Sequence, residues 1–124
     1  MEFQKSKGQG PERISVDMLD PIMAPGDSRT AVAPIIVLPS GLSCNAELFL
    51  GPDAATKVAT SGMRAFTSTG AAQAVRFPVT MPSPGGFAYH VYIDVYANGL
   101  LFVAYFATED VIIPSGEVGP ITWE

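Results

Sequence analysis

The sequence predicts an all-β sandwich of about seven antiparallel strands. Three observations carry that expectation. Glycine (12) and proline (11) together approach a fifth of the 124 residues and cluster between short apolar runs, the punctuation of many short strands joined by tight turns. Several of those runs alternate apolar with polar residues at the two-residue period of a half-buried strand. No long stretch carries an apolar stripe at helical spacing. Strands of this number and spacing, on about 100 residues, make an immunoglobulin-like sandwich.

One domain accounts for the chain. Residues 1–12 read as an extended polar arm, 13–113 as the sandwich and 114–124 as a polar tail carrying Trp123. Residues 13–18 are the first expected strand, with Ile14, Val16 and Met18 on one side and Arg13, Ser15 and Asp17 on the other. Asp20-Pro21 marks a bend and Pro25-Gly26-Asp27 a turn. Residues 29–38 form the second strand; Pro34 has no N–H to give a ladder, which places this strand at an edge or a bulge. After Pro39-Ser40-Gly41, residues 43–50 put Cys44, Ala46, Leu48 and Leu50 on one face and Asn45, Glu47 and Phe49 on the other, and Gly51-Pro52-Asp53 ends the strand. Residues 57–66 are a weak edge strand broken at Gly62, and 67–72 a loop. Residues 74–81 alternate cleanly, Val75, Phe77, Val79 and Met81 against Arg76, Pro78 and Thr80.

The strongest signal follows the turn Pro82-Ser83-Pro84-Gly85-Gly86. Residues 87–97 and 100–108 are β-rich runs on either side of Asn98-Gly99, the preferred pair for a two-residue hairpin whose turn positions both need positive φ. Residues 111–113 continue the last strand past a bulge near Glu109-Asp110.

Composition narrows the function. The net charge is −5 and the basic residues are scattered, which argues against a nucleic-acid partner. Charged residues make up only 15% of the chain against a usual ~25%, so part of an apolar surface is expected to be covered by a partner or by further copies. A lone cysteine allows no intrachain disulfide; Cys44 reads as a small buried hydrophobe, with a reactive or intermolecular thiol as the other reading. The N-terminus MEFQKSKGQGPER has no apolar core and is not expected to be a secretory signal, and no apolar run is long enough for a membrane-spanning helix.

Chemistry finds few residues to work with. His90 is the single histidine, and its strand companion Asp94 stands about 13 Å away at i+4. One His and one Cys do not make a zinc set. The loop carboxylates Asp17, Asp20, Asp27, Glu109 and Asp110 lack the spacing of a calcium loop. Gly85-Gly86 and Gly8-x-Gly10 lead into no helix and read as turn glycines. No catalytic residue, metal or cofactor is therefore expected, and the chain reads as a non-enzyme.

The aromatic pattern of the hairpin is more informative. Phe87, Tyr89, Val91, Ile93 and Val95 read as core, and His90, Tyr92, Asp94 and Tyr96 as the opposite face. The partner strand is apolar on both faces, Leu101, Val103 and Tyr105 against Leu100, Phe102, Ala104 and Phe106. An outer face bathed in water alternates to polar. This one does not, which makes His90, Tyr92, Tyr96, Leu100, Phe102 and Phe106 the candidate protein interface. A terminal segment folded over the face, or a sugar-stacking platform on Tyr92, Tyr96 and Phe102, would use the same pattern.

Two segments carry a family resemblance. Ala24-Pro25-Gly26-Asp27-Ser28-Arg29-Thr30 resembles the turn before the second strand of bacterial and archaeal Ig-like adhesion-type domains, and Pro84-Gly85-Gly86-Phe87-Ala88-Tyr89-His90-Val91-Tyr92-Ile93-Asp94-Val95 resembles the lead into their penultimate strand. The named group they resemble is the CARDB-like (cell-adhesion-related) domains, over roughly residues 13–113. The resemblance implies a sandwich with the Tyr89 ring in its core and its hydroxyl on nearby backbone, and carries no catalytic residue. Ala33-Pro34-Ile35 and Leu38-Pro39-Ser40-Gly41 depart from the family's alternating strand and polar turn, and such domains usually follow a signal peptide in a larger surface protein.

The expectation from sequence is thus a structural assembly protein, a homo-oligomer or a unit docked on a larger lattice, with the arm reaching a neighbour. A virion decoration or minor structural protein is the setting suggested by analogy. The alternative is a cell-surface adhesion or carbohydrate-binding module.

Overall fold

The computed structural model describes residues 20–124; the strand expected at 13–18 and the arm before it lie outside the described residues. Eight strands follow in order: β1 (Ser28–Ile35), β2 (Ser43–Gly51), β3 (Ala59–Thr60), β4 (Arg64–Thr67), β5 (Gln73–Thr80), β6 (Phe87–Ala97), β7 (Leu100–Phe106) and β8 (Val111–Ile113). They form two sheets with antiparallel strand pairs, neither closed into a barrel, and no helix occurs among the described residues. In the smaller sheet β1 pairs β5 from Ser28↔Thr80 to Ile35↔Gln73. In the larger, β2 pairs β6 along its length, β3 and β4 share the outer side of β2, and β7 and β8 share the outer side of β6.

Local sequence explains each join. Asn98 and Gly99 take φ values of 50° and 79°, the positive pair that a type I′ turn needs, and fold β6 back on β7. Pro34 and Pro78 sit in β1 and β5, where a two-stranded sheet makes every strand an edge. The run expected at 57–66 splits at Gly62 into β3 and β4. β8 resumes the path of β7 along β6 after the connection 107–110, in which Ala107 N–H still donates to the Val91 carbonyl at 2.9 Å, and the strand expected to run to Thr108 ends at Phe106.

The core lies between the sheets. Ile35, Val37, Val75, Phe77, Val79 and Met81 meet Cys44, Ala46, Leu48 and Leu50 of β2, Tyr89, Ile93 and Val95 of β6, and Val111 and Ile113 of β8. Burying each large apolar side chain contributes about 1.5–3 kcal/mol. The expected faces of β2 and β5 hold, and the Tyr89 ring is in the core. Phe87 is a correction: it is 56% exposed, because it is the first residue of β6, its ring tilted against Tyr89 at 5.9 Å.

The two turns behind the family resemblance meet at one end of the molecule. Met81 N–H donates to the Asp27 carbonyl at 2.7 Å and Gly86 N–H to the Ile113 carbonyl at 2.6 Å. A Cβ at Gly85 would stand 2.2 Å from the Pro114 carbonyl oxygen and 3.0 Å from Pro25 Cγ, so only glycine fits between those segments. Just upstream, residues 21–23 run parallel beside β8: Ile22 bridges Ile112, Met23 N–H donates to the Ile112 carbonyl and Ile112 N–H to the Pro21 carbonyl.

Candidate functional site

The outer face of the larger sheet is built by three strands. On β2 it carries Asn45, Glu47 and Phe49; opposite them β6 places Tyr96, Asp94 and Tyr92, with His90 across from Gly51. β7 adds Phe106 beside Tyr92 and Ala104 beside Asp94. Direct cross-strand neighbours on one face are close enough for their side chains to pack. Phe49, Tyr92 and Phe106 accordingly stack in a row, with centroids 5.1 and 4.7 Å apart and planes within 19° and 27°. Each such pair contributes about 0.5–1.5 kcal/mol beyond burial. His90 meets Phe106 edge-on at 5.0 Å, and its Nδ1 lies 2.8 Å from Asp110 Oδ1.

The other half of this face is polar and closed. Glu47, only 7% exposed, accepts hydrogen bonds from Lys57 Nζ at 2.6 Å and from the Thr60 hydroxyl. Burial pushes its carboxyl up, but these two bonds and the Lys57 charge outweigh burial and hold it below the usual carboxylate range. The same hydrogen bond raises Lys57, whose Nζ also lies 4.8 Å over the Phe49 ring. Asp94 stands directly across from Glu47. Burial holds its carboxyl above the usual range; Lys57 pulls it down and the Glu47 charge pushes it up. Gly51 makes the return of Lys57 to this face feasible. A Cβ there would fall 1.8 Å from the Thr56 carbonyl oxygen, where the loop crosses back over the end of β2.

The β7 side is open. The register slips between Val95 and Tyr96: Val95 faces Val103 but Tyr96 faces Leu101, so Phe102 is an extra residue, a bulge. Leu100, Leu101, Phe102 and Val103 are 69%, 47%, 45% and 40% exposed, four apolar residues in succession.

No family model, no curated protein and no solved structure matches this chain.

The six residues expected to form one interface divide. Tyr92 is 7% exposed, with both ring faces covered by Phe49 and Phe106, so it belongs to the packing of the sheet. His90, Phe106 and Tyr96 are half-buried. Leu100 and Phe102 are exposed, but Leu100 pairs with Ala97, whose side is that of the core, and the bulge brings Leu101 beside Tyr96 in its place. Sequence reasoning missed Leu101 and Val103 on the open margin, and Glu47, Lys57 and Asp110 as the partners that close the rest. Cys44 is buried, its thiol pointing at the Leu42 carbonyl. Among the described residues no three His, Cys, Asp or Glu side chains gather as a metal site would require. What this face offers is apolar contact along β7 bordered by a polar, internally bonded half.

Proposed function

We propose that this chain is a non-catalytic assembly module, an immunoglobulin-like sandwich that associates with protein, copies of itself first, through β7 and the outer-face side chains beside it. One observation carries the reading: four successive exposed apolar residues, Leu100 to Val103, on a strand without a single charge. Exposed apolar surface gathered in one place is the usual mark of an interaction site, and the low charge of the chain points the same way. A repeating lattice, such as a virion or a surface layer, is the setting that suits a small unit with one apolar margin. The stacking of Tyr92 between Phe49 and Phe106 weakens the sugar-platform alternative, because the central ring of that platform has no free face.

Light scattering tests the proposal. The intact protein is expected to form a defined oligomer, and Leu101→Glu/Phe102→Glu a folded monomer. An intact protein that is monomeric and retains glycans on an array would replace assembly with the carbohydrate reading.

A further inference from the structure

Residues 114–124 carry the three most exposed large apolar side chains among the described residues. Val118, Ile121 and Trp123 are 90%, 75% and 92% exposed, and no residue from Pro114 to Glu124 is covered. The root of this tail is fixed. Gly86 N–H donates to the Ile113 carbonyl, the Pro114 carbonyl stands where a Cβ on Gly85 would fall, and Ser115 Oγ lies beside Gly86. Beyond the root the chain is clear of the body. Past its chain neighbours, a Cβ on Gly116 or Gly119 would have no described residue within 4 Å.

Direction and length keep the tail from the open margin of its own copy. β8 runs towards the Phe87 end of β6, whereas Leu100, Leu101 and Val103 stand at the hairpin end, opposite Ala97, Tyr96 and Val95. Val95 is nine positions along the chain from Gly86, where Ser115 is held, or roughly 30 Å of strand. Ile121 and Trp123 are six and eight residues past Ser115, so a fully stretched backbone carries them at most about 22 and 29 Å. The turn back towards β7 would shorten both reaches. A neighbouring copy sets no such limit.

We infer that the tail of one copy docks on the β7 margin of another, with Ile121 and Trp123 seated on Leu101, Phe102 and Val103. The inference rests on the reading of β7 as the docking margin and deepens it by naming what a second copy brings there. The two surfaces match in kind: β7 carries no charge, and neither does the stretch from Pro120 to Trp123. Two positions apart, Ile121 and Trp123 share one side of an extended chain. Tryptophan is among the residue types that dominate the centres of such contacts. Each copy then offers one tail and one margin, and association closes only when a ring is complete.

Complementation between two variants of the full chain tests it. Ile121→Glu/Trp123→Glu removes the apolar pair of the tail and leaves the margin; Leu101→Glu/Phe102→Glu does the reverse. All four positions are exposed, so both variants should fold, which circular dichroism checks. Each alone should sediment as a monomer. An equimolar mixture at high concentration should give a one-to-one dimer, joined by the intact tail of one variant and the intact margin of the other. Trp123 is the single tryptophan, so its emission reports the contact directly. It should shift to the blue as the native protein is concentrated, and stay unshifted in the margin variant alone.

A tail variant that keeps the native mass overturns the inference and leaves assembly through β7 standing. Monomeric variants that stay apart when mixed, or a native oligomer whose Trp123 emission remains that of a solvated indole, do the same. A margin variant that keeps the native mass, or a native protein that is monomeric at every concentration, overturns both readings.

Discussion

The two margins of the larger sheet are treated in opposite ways. On the β2 side the edge is cut into β3, of two residues, and β4, of four, with Ser61-Gly62-Met63 between them and Lys57 and Arg64 on or beside it. Short strands and charges are the usual protection against pairing with another chain. On the β6 side, β8 is flanked by residues 21–23, but β7 runs seven residues, LLFVAYF, with no charge and no proline. Both strands of the smaller sheet carry an arginine and a proline, Arg29 and Pro34 in β1, Arg76 and Pro78 in β5. Among the described strands, β7 carries only the bulge at Phe102 of these devices. On the proposed reading the apolar surface of β7 is the docking margin, whereas the other edges carry charges, prolines or very short strands.

Substitutions sharpen the contrast, beginning with the largest effect. Tyr92→Ala, in the closed half, should lower stability by about 3–5 kcal/mol in chemical denaturation, whereas Phe102→Ala, on the open margin, should stay within about 0.5 kcal/mol and weaken association instead. Equal losses would erase the distinction between packing and docking residues.

Glu47→Gln should cost about 1 kcal/mol at neutral pH, less than the ~1.5–3 kcal/mol usual for a charged hydrogen bond because 42% of the Lys57 side chain remains exposed. Because the folded protein holds the Glu47 carboxyl below its ordinary value, its contribution is present above the ordinary carboxylate pKa of about 4.3 and fades as pH falls through the folded value. The native–variant difference in melting temperature should shrink over that acid range; a difference independent of pH contradicts the ion pair.

Asp94 has the opposite sign. Its carboxyl is raised in the folded state, so the fold loses stability as pH rises through the acid range and the group ionises. Asp94→Asn should therefore stabilise the protein at neutral pH by less than about 1 kcal/mol, with no gain at the acid end of the same titration. A loss of stability at neutral pH would mean that Asp94 has a favourable partner across the face. Smallest of all, Val103→Lys should leave the melting temperature within the error of surface substitutions and still reduce the mass of the oligomer.

The sequence made visible whatever local rules decide. Asn98-Gly99 set the hairpin, the alternation of Val75, Phe77 and Val79 set the buried face of β5, and Gly62 set the break between β3 and β4. What it hid depends on long-range pairing. The bulge at Phe102 changes which residue of β7 stands beside Tyr96, and in an all-apolar run the two registers look alike. Asp110 reaches His90 from twenty positions away, on a connection that periodicity cannot place. Alternation places Glu47 only on the face opposite Cys44 and Leu48; that the loop after Gly51 brings Lys57 and Thr60 over it is a long-range fact. For the candidate site, then, an apolar, aromatic outer face was legible, but the division between its packed and its open half was not.

The most direct test sets one margin against the other. Sedimentation over a range of concentrations would compare the native protein with Leu101→Glu/Phe102→Glu on β7 and with Val58→Glu/Met63→Glu beside β3 and β4, where both residues are also exposed. The β7 variant is expected to sediment as a folded monomer and the other to keep the native mass. If charging the β3–β4 side dissociates the protein while charging β7 leaves it assembled, β7 is not the docking margin.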